Sequence, residues 1–172
     1  MKVLLAYASK HGSTEEIAEV IARELTASGL SVDLRRASNV ETVDCYDAVI
    51  LGSAIYMGQW QSDATAMIDS HESALKERDV WLFSSGPIGD DPFPKDDPPI
   101  TADLVERTGA HQHQSFTGRL ERGSLGFGER LIATAVRAPQ GDFRDWEAIR
   151  DWALQVAAAL NEKKSLTSPR AE

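Results

Sequence analysis

The first fourteen residues constrain the fold more than any other part of this chain. A continuous apolar run, residues 3–8, leads into the polar residues 9–14, and a helical pattern follows at once. A strand that enters a helix through a hydroxyl-rich loop turns backbone N–H groups and the positive end of the helix dipole toward one anion. The segment predicts a phosphate-binding loop, and its alternative is an ordinary helix cap after a strand.

Length, composition and charge exclude several classes of protein. The chain has 172 residues, of which 42% are hydrophobic and 26% charged, as expected for one globular domain. A net charge of −9 argues against nucleic acid or an anionic membrane as the main partner. The single cysteine, Cys45, excludes an internal disulfide. With no signal peptide or membrane span in the pattern, we expect a cytoplasmic protein.

Strand-like and helix-like segments alternate along the chain. Residues 3–8, 48–52 and 80–84 are continuous apolar runs, as in parallel strands that are covered on both faces. Residues 31–35 alternate like an edge strand, and residues 113–120 are a fifth candidate. Helical patterns lie between these segments. The alternation predicts an α/β fold with a three-layer, doubly wound, five-stranded parallel sheet.

Helix boundaries and domain limits also have sequence signals. Ser13 and Glu16 have the spacing of a capping box, Gly29 is a C-terminal stop, and Asp145 is the N-cap of the last helix. We predict one domain over residues 1–161. Residues 121–144 are an insertion before the last helix, and residues 162–172 form a disordered polar tail.

Three loops follow the buried strands and are expected to meet, because ligands in open α/β sheets lie beyond the carboxyl ends of the strands. The first loop, residues 9–14, has only one glycine, so it matches neither a Walker loop nor the dinucleotide-binding turn. Its composition suits a single phosphomonoester. The second carries aromatic side chains, and the third is rich in glycine. Together they predict a flat, aromatic, phosphorylated cofactor. The predicted binding residues are Ser9, Lys10, His11, Gly12, Ser13, Thr14, Ser53, Ala54, Ile55, Tyr56, Met57, Gly58, Ser85, Gly86, Pro87, Ile88 and Gly89.

The spacing Ser9-x-x-Gly12-x-Thr14 after the first strand resembles the phosphate loop of flavodoxins. The segment 56–58 is similar to their second loop, where the peptide next to a glycine contacts flavin N5, and residues 85–86 fall where their third loop holds the ring edge. The resemblance covers about residues 1–161. It implies FMN as the cofactor and a strand order of 2-1-3-4-5.

A narrower resemblance is to the flavodoxin-like protoporphyrinogen oxidases that pass electrons to menaquinone. It depends on residues 9–14, residues 116–120 and residues 141–146. This resemblance implies oxidation of protoporphyrinogen IX with a quinone acceptor, and contact with the inner face of a membrane. The chain differs from simple flavodoxins because no aromatic residue directly follows Gly86, which leaves Trp60 or Phe93 as candidates to flank the flavin.

Positive charge concentrates in residues 119–137 of an otherwise acidic chain. Arg119, Arg122 and Arg130 are candidate contacts for the propionates of a porphyrinogen, or they are solvated charges on a helix face. Catalysis would otherwise be carried by the flavin, and no metal site is expected. Two other functions stay open: an electron carrier between redox protein partners, and an interaction module without FMN. The sequence leaves the oligomeric state open.

Overall fold

The computed structural model describes residues 1–56, 58–86, 100–120 and 141–167. These ranges contain eight strands and four α helices. The strands are β1 Lys2–Ala8, β2 Ser31–Arg36, β3 Ala48–Tyr56, β4 Gln59–Trp60, β5 Asp79–Ser85, β6 Gln112–Phe116, β7 Arg119–Leu120 and β8 Gly141–Asp142; the helices are α1 Ser13–Ala27, α2 Ser62–Lys76, α3 Ile100–Thr108 and α4 Trp146–Thr167. No described helix is long and apolar enough to cross a membrane.

The main sheet has the predicted order. Its parallel strands run β2-β1-β3-β5-β6, while β4 folds back antiparallel on the end of β3. Numbered without β4, the five parallel strands of the described ranges have the order 2-1-3-4-5, which confirms the prediction. In register, Ala8 lies beside Ser53, and Ser53 beside Ser84. The loops that follow β1, β3 and β5 therefore leave the sheet side by side.

The sheet is covered on both faces, which explains the continuous apolar runs within its central strands. Val3, Leu5 and Tyr7 of β1 belong to a core shared with α1 and α4. Leu4 and Ala6, which alternate with them, belong to a second core shared with α2 and α3. Successive side chains of a strand point to opposite faces, so a strand in the middle layer must be apolar throughout.

Two details of the sequence prediction were wrong. The candidate strand at residues 113–120 is two strands, because β6 ends at Phe116 and Arg119 begins β7. The capping box is not formed, because Ser13 is already the first residue of α1 and Gly12 holds the N-cap position. Gly29 and Asp145 behave as predicted: Gly29 has a φ of 85°, and the Asp145 carboxylate accepts the backbone N–H groups of the first turn of α4.

The strands β7 and β8 form a small antiparallel ribbon apart from the main sheet. Arg119 pairs with Asp142, and Leu120 pairs with Gly141. Residues 121–140 lie outside the described residues, and the ribbon sets the two chain ends that flank them next to each other. The last helix continues to Thr167, six residues past the predicted domain limit at residue 161.

The core leaves no room for a methyl group at Gly52. A Cβ at this position would lie 1.9 Å from Cζ of Phe83, a side chain that is completely buried. We expect Gly52→Ala to lower the free energy of unfolding by about 3 kcal/mol or more, since overpacking a core usually costs 1–3 kcal/mol and this contact is extreme. Urea unfolding followed by far-UV circular dichroism measures the difference.

Two further variants separate this clash from a general effect of alanine. Gly29→Ala meets no atom within 4 Å, so its cost is limited to the strain of a positive φ, about 1–2 kcal/mol. Combining Gly52→Ala with Phe83→Leu removes the ring atoms that clash. The double variant should lose less stability than the two single losses added together, and strict additivity would contradict the packing argument.

Candidate functional site

The loop predicted to bind phosphate leads into an uncapped helix start. Gly12 has a φ of 83°, a left-handed conformation that glycine adopts without the strain of a side chain, and no side chain caps α1. The Gly12 N–H donates to the hydroxyl of Ser9 at 3.1 Å, which closes the turn between β1 and α1. The N–H groups in the first turn of a helix have no acceptor within the helix, so here they point toward the loop and favour an anion.

Thr14 gives an independent sign of a ligand at this loop. The residue is completely buried, and its hydroxyl has no hydrogen-bond partner among the described residues. A buried polar group without a partner costs about 1–3 kcal/mol, so native proteins rarely keep one that has no use. The position of this hydroxyl in the first turn of α1 fits a donor to a bound phosphate oxygen.

The second loop meets the first through two side-chain contacts. Nε2 of His11 lies 3.1 Å from the hydroxyl of Tyr56. The ammonium group of Lys10 lies 5.3 Å from the centre of the Tyr56 ring, within the range of a cation–π contact. Gly58 has a φ of 76°, as the tight return from β3 to β4 requires. The predicted residues of these two loops are therefore brought together in space.

The third loop packs directly on the second. A Cβ at Gly86 would lie 2.9 Å from Cβ of Ile55, so only glycine permits this approach of the two chains. The Gly86 N–H also donates to the carbonyl of Phe116 at 3.3 Å. Ser53, predicted to contact the cofactor, is buried, and its hydroxyl accepts the N–H of Gln61 at 2.9 Å. This hydroxyl therefore supports the second loop.

Trp60 does not take the place of the missing aromatic residue. Its indole N–H donates to the hydroxyl of Ser84 at 2.9 Å, and only 5% of the residue is exposed. The same hydroxyl lies 2.6 Å from Nε2 of His113. The indole ring is therefore part of the interior beneath the loops, and the other candidate, Phe93, lies outside the described residues. Tyr56 is the aromatic residue that the structure places at the junction of the first two loops.

Both acidic residues in the first turn of α1 are engaged by partners. The carboxylate of Glu15 accepts the hydroxyl of Tyr7 at 2.5 Å and a guanidinium N–H of Arg36 at 2.7 Å. Burial, together with the hydrogen bond to Glu15, raises the pKa of Tyr7 to about 12. Tyr7 therefore stays protonated at neutral pH and keeps donating to Glu15.

The second acidic residue, Glu16, belongs to an ion network that joins α1 to the ribbon. It accepts from Arg144 at 2.7 Å and from Arg119 at 2.9 and 3.2 Å. Only 2% of the Arg144 side chain is exposed, and it also binds Asp142 through two N–H groups and lies over the Trp146 ring. Hydrogen bonds from Arg144 lower the pKa of Asp142 below its usual value.

Several predicted residues lie outside the described ranges: Met57, Pro87, Ile88, Gly89, Arg122 and Arg130. Sequence reasoning missed Asp142, Arg144 and the ion pairs of Glu16, since these partners are more than one hundred positions from Glu16 and no local pattern marks them. The motifs at residues 116–120 and 141–146 pointed to these segments, but neither motif showed that they pair with Glu16. In the described part of the chain, no cluster of histidine, cysteine and acidic side chains is suited to hold a metal ion.

Comparison with protein families identifies the chain. A family model described as "Flavodoxin domain" matches residues 4–146. The chain therefore belongs to the flavodoxin domain family, which agrees with the sheet order and with the position of the phosphate-binding loop.

One sequence relative and two solved structures agree with this family assignment. Protoporphyrinogen IX dehydrogenase (quinone) of Escherichia coli K12 is 28% identical over 86 residues, 49% of this chain and 48% of that protein. This chain therefore matches about half the length of that curated relative. Flavodoxin 2 of Bacillus cereus is 25% identical with a TM-score of 0.62, over 94% of this chain and 99% of that one. The rubredoxin:oxygen oxidoreductase of Desulfovibrio gigas shares the fold with a TM-score of 0.67 and 16% identity, over 97% of this chain and 37% of that one.

The cofactor of this chain is FMN, as its family and its flavodoxin neighbours indicate. The residues present fit this cofactor. The buried hydroxyl of Thr14 and the uncapped start of α1 suit its single phosphate. The close packing of Gly86 on Ile55 joins the second and third loops, which are predicted to contact the ring.

We expect Thr14→Val to change cofactor binding and protein stability in opposite directions. Valine keeps the shape of threonine but cannot donate to phosphate, and a hydrogen bond to a charged group contributes about 1.5–3 kcal/mol. FMN should bind about tenfold to a hundredfold more weakly, as measured by quenching of flavin fluorescence. The apoprotein should be at least as stable as the wild type in urea, because an unpaired buried hydroxyl is removed. Thr14→Ser is the control that keeps the donor, and a less stable valine apoprotein would show that the hydroxyl is already paired.

The ion network predicts a specific dependence of stability on pH. The folded pKa of Asp142 lies below its value of 3.8 in the unfolded chain, so its pair with Arg144 stabilises the protein above about pH 4. This contribution disappears as the pH falls through the folded pKa. We expect Asp142→Asn to cost about 1–2 kcal/mol at pH 7, since the half-exposed carboxylate is screened by water, and to cost progressively less as the pH falls below about 4.

The matched control for this series is Asp145→Asn, because asparagine also caps helices well and should leave stability nearly unchanged at pH 7. Urea unfolding at pH 7, 5 and 3 measures both variants against the wild type. A loss at Asp142 that stays constant over this range would contradict the proposed contribution of its charge.

Proposed function

We propose that this protein is an FMN-dependent oxidoreductase that oxidises protoporphyrinogen IX and passes the electrons to a quinone. Two observations support the proposal. One is the 28% identity to the protoporphyrinogen IX dehydrogenase of E. coli over half of each chain. The other is the ribbon β7–β8, a small sheet apart from the main one that contacts the loop after β1 through the backbone N–H of Arg119.

The residues of the three loops contribute to cofactor binding in different ways. Bound FMN supplies hydride and single-electron transfer. Thr14 and the first turn of α1 bind the phosphate, and Gly12 allows the chain to approach it. Tyr56, held by His11, presents an aromatic side chain where the phosphate loop meets the ring loop. The interior hydrogen bonds of Ser53 and Trp60 fix the second loop and exclude water beneath it.

The position of the ribbon is the observation that carries the choice of an enzyme over a simple carrier. The backbone N–H of Arg119, the first residue of β7, lies 3.3 Å from the hydroxyl of Ser13 in the phosphate-binding loop. Residues 121–140 begin and end at this ribbon, so their attachment point lies at the cofactor site. A segment attached at this place suits contacts to a small substrate at the flavin. The proposed substrate contacts of Arg122 and Arg130 belong to this segment.

A second candidate function is an electron carrier between redox proteins. Its support is the similarity to flavodoxin 2 of B. cereus, which extends over 94% of this chain and 99% of that one. The net charge of −9 would suit a docking partner with a basic surface. The two functions differ in whether a small substrate is turned over.

The proposed acceptor also indicates where the protein would work. A quinone with a long apolar tail is dissolved in a membrane, so the enzyme would reach it from the cytoplasm at the inner face of that membrane. Contact would be peripheral and brief, because an acidic protein is repelled by anionic lipids. The same site must admit a flat tetrapyrrole that carries two propionates, which requires cationic and apolar groups near the exposed flavin edge.

Replacing residues 121–140 with Asn-Gly tests the choice between the two functions. Leu120 and Gly141 are paired, and a two-residue turn of this type joins antiparallel neighbours, so the ribbon should close without strain. The holoprotein and this variant are compared under anaerobic conditions for oxidation of protoporphyrinogen IX with a menaquinone analogue. Reduction of cytochrome c is measured in parallel as a one-electron activity.

An enzyme should lose oxidation of the porphyrinogen in this variant while it keeps bound FMN and cytochrome c reduction. Thr14→Val, which weakens FMN, should lower both activities together at limiting cofactor. If the wild type reduces cytochrome c but never oxidises the porphyrinogen, the protein is a carrier and the proposed enzyme is wrong. If the variant loses FMN as well, the segment contributes to cofactor binding and its role as a substrate site is contradicted.

A further inference from the structure

The side chain of Arg119 borders the phosphate-binding loop. Its Nη2 lies 4.0 Å from the point where a Cβ on Gly12 would stand. Its backbone N–H lies 3.3 Å from the hydroxyl of Ser13 in the same loop. A guanidinium group from the far end of the sequence is thus placed beside the helix start that binds the phosphate.

Glu16 fixes the direction of this guanidinium. Nη1 and Nη2 of Arg119 donate to the two oxygens of one carboxylate at 3.2 and 2.9 Å, a bidentate pair that sets both position and plane. Nη1 of Arg144 donates to Oε2 of the same carboxylate at 2.7 Å. Arg144 is itself buried and anchored by Asp142. Contacts from Asp142 through Arg144 and Glu16 therefore hold the Arg119 side chain next to Gly12.

Charge balance gives this arrangement a consequence for the cofactor. Glu16 lies in the first turn of α1. The phosphate monoester of FMN, with a charge of about −1.5 to −2 at pH 7, would bind at the same helix end. Two anionic groups at one helix end repel each other, unless a cation adjoins both. Arg119 is in contact with the carboxylate and adjacent to the loop, so it meets this condition.

We propose that Arg119 supplies the positive charge that recognises the 5′-phosphate of FMN, and that Glu16 holds its guanidinium over the phosphate-binding loop. Arg119 is therefore assigned to the cofactor and not to the substrate contact expected from the sequence. The proposal rests on FMN as the cofactor and is independent of which substrate or acceptor the protein uses. It predicts that the chain distinguishes FMN from riboflavin, which carries no phosphate, partly through this residue.

The test measures the binding of FMN and of riboflavin to the apoprotein of Arg119→Gln. A charge-assisted hydrogen bond to phosphate corresponds to a factor of about ten to one hundred in affinity. We expect FMN to bind at least tenfold more weakly, while riboflavin binding changes less than about twofold. Raising the salt concentration should weaken FMN binding to the wild type more than to this variant, because one phosphate–cation contact has been removed.

Arg36→Gln is the matched control. Arg36 pairs with Glu15, the neighbour of Glu16 in the same helical turn, at 2.7 Å, and its replacement changes the net charge by the same amount. It should leave the ratio of FMN to riboflavin affinity unchanged. Arg119→Lys keeps the charge without the bidentate geometry, so it should restore part of this ratio. Urea unfolding of each apoprotein shows whether the fold is intact.

The outcomes distinguish a failure of the proposal for Arg119 from a failure of the cofactor assignment. If Arg119→Gln weakens FMN and riboflavin equally, Arg119 only anchors the ribbon and the proposal is wrong. The proposal is equally wrong if the ratio does not change, or if Arg36→Gln changes it as much. If the wild type itself binds neither flavin, the assignment of the cofactor fails, which is a different result from an unchanged ratio in a protein that binds FMN.

Discussion

The buried guanidinium of Arg144 joins the ribbon β7–β8 to the first turn of α1. The Arg144 side chain is 2% exposed, and such burial is tolerated only where anionic partners compensate the loss of water. Those partners are Asp142, two positions earlier in strand β8 of the ribbon, and Glu16 in the first turn of α1. Because one charge must satisfy both, the ribbon cannot shift away from the phosphate-binding loop without leaving a cation unpaired in the interior.

The parts of the fold that could be predicted follow from local patterns with a simple physical cause. Continuous apolar runs predicted the central strands β1, β3 and β5, because a strand in the middle of three layers has no polar face. Their order followed from the family resemblance, and the loops meet because parallel strands end at one edge. The strand, loop and helix start that hold Gly12 and Thr14 follow from a local pattern within six residues of a strand end, and their contact with the phosphate stays a prediction.

The rest depended on contacts between distant positions, which one sequence does not show. The spacing of Ser13 and Glu16 is that of a capping box, yet Glu16 is held by Arg119 and Arg144 and does not reach back to the helix start. The hydroxyl of Ser13 accepts the N–H of Arg119 instead of capping the helix. Trp60 follows the cofactor loop in sequence but points into the interior, because Ser84 of the neighbouring strand offers its indole N–H an acceptor. In each case a partner from another element overrides a valid local preference.

In an acidic protein that binds an anionic cofactor, the groups next to the binding loop must attract the cofactor although the net charge of the protein repels it. The net charge of −9 acts over distances at which salt screens it, about 8–10 Å at physiological ionic strength. The loop is governed by nearer groups: the helix start, the hydroxyl of Thr14 and the arginine beside Gly12. Within the network, two arginines balance Glu16 and Asp142, so the acidic residues closest to the loop add no net charge there. The remaining acidic side chains can therefore favour solubility or the choice of partner without weakening the site that holds FMN.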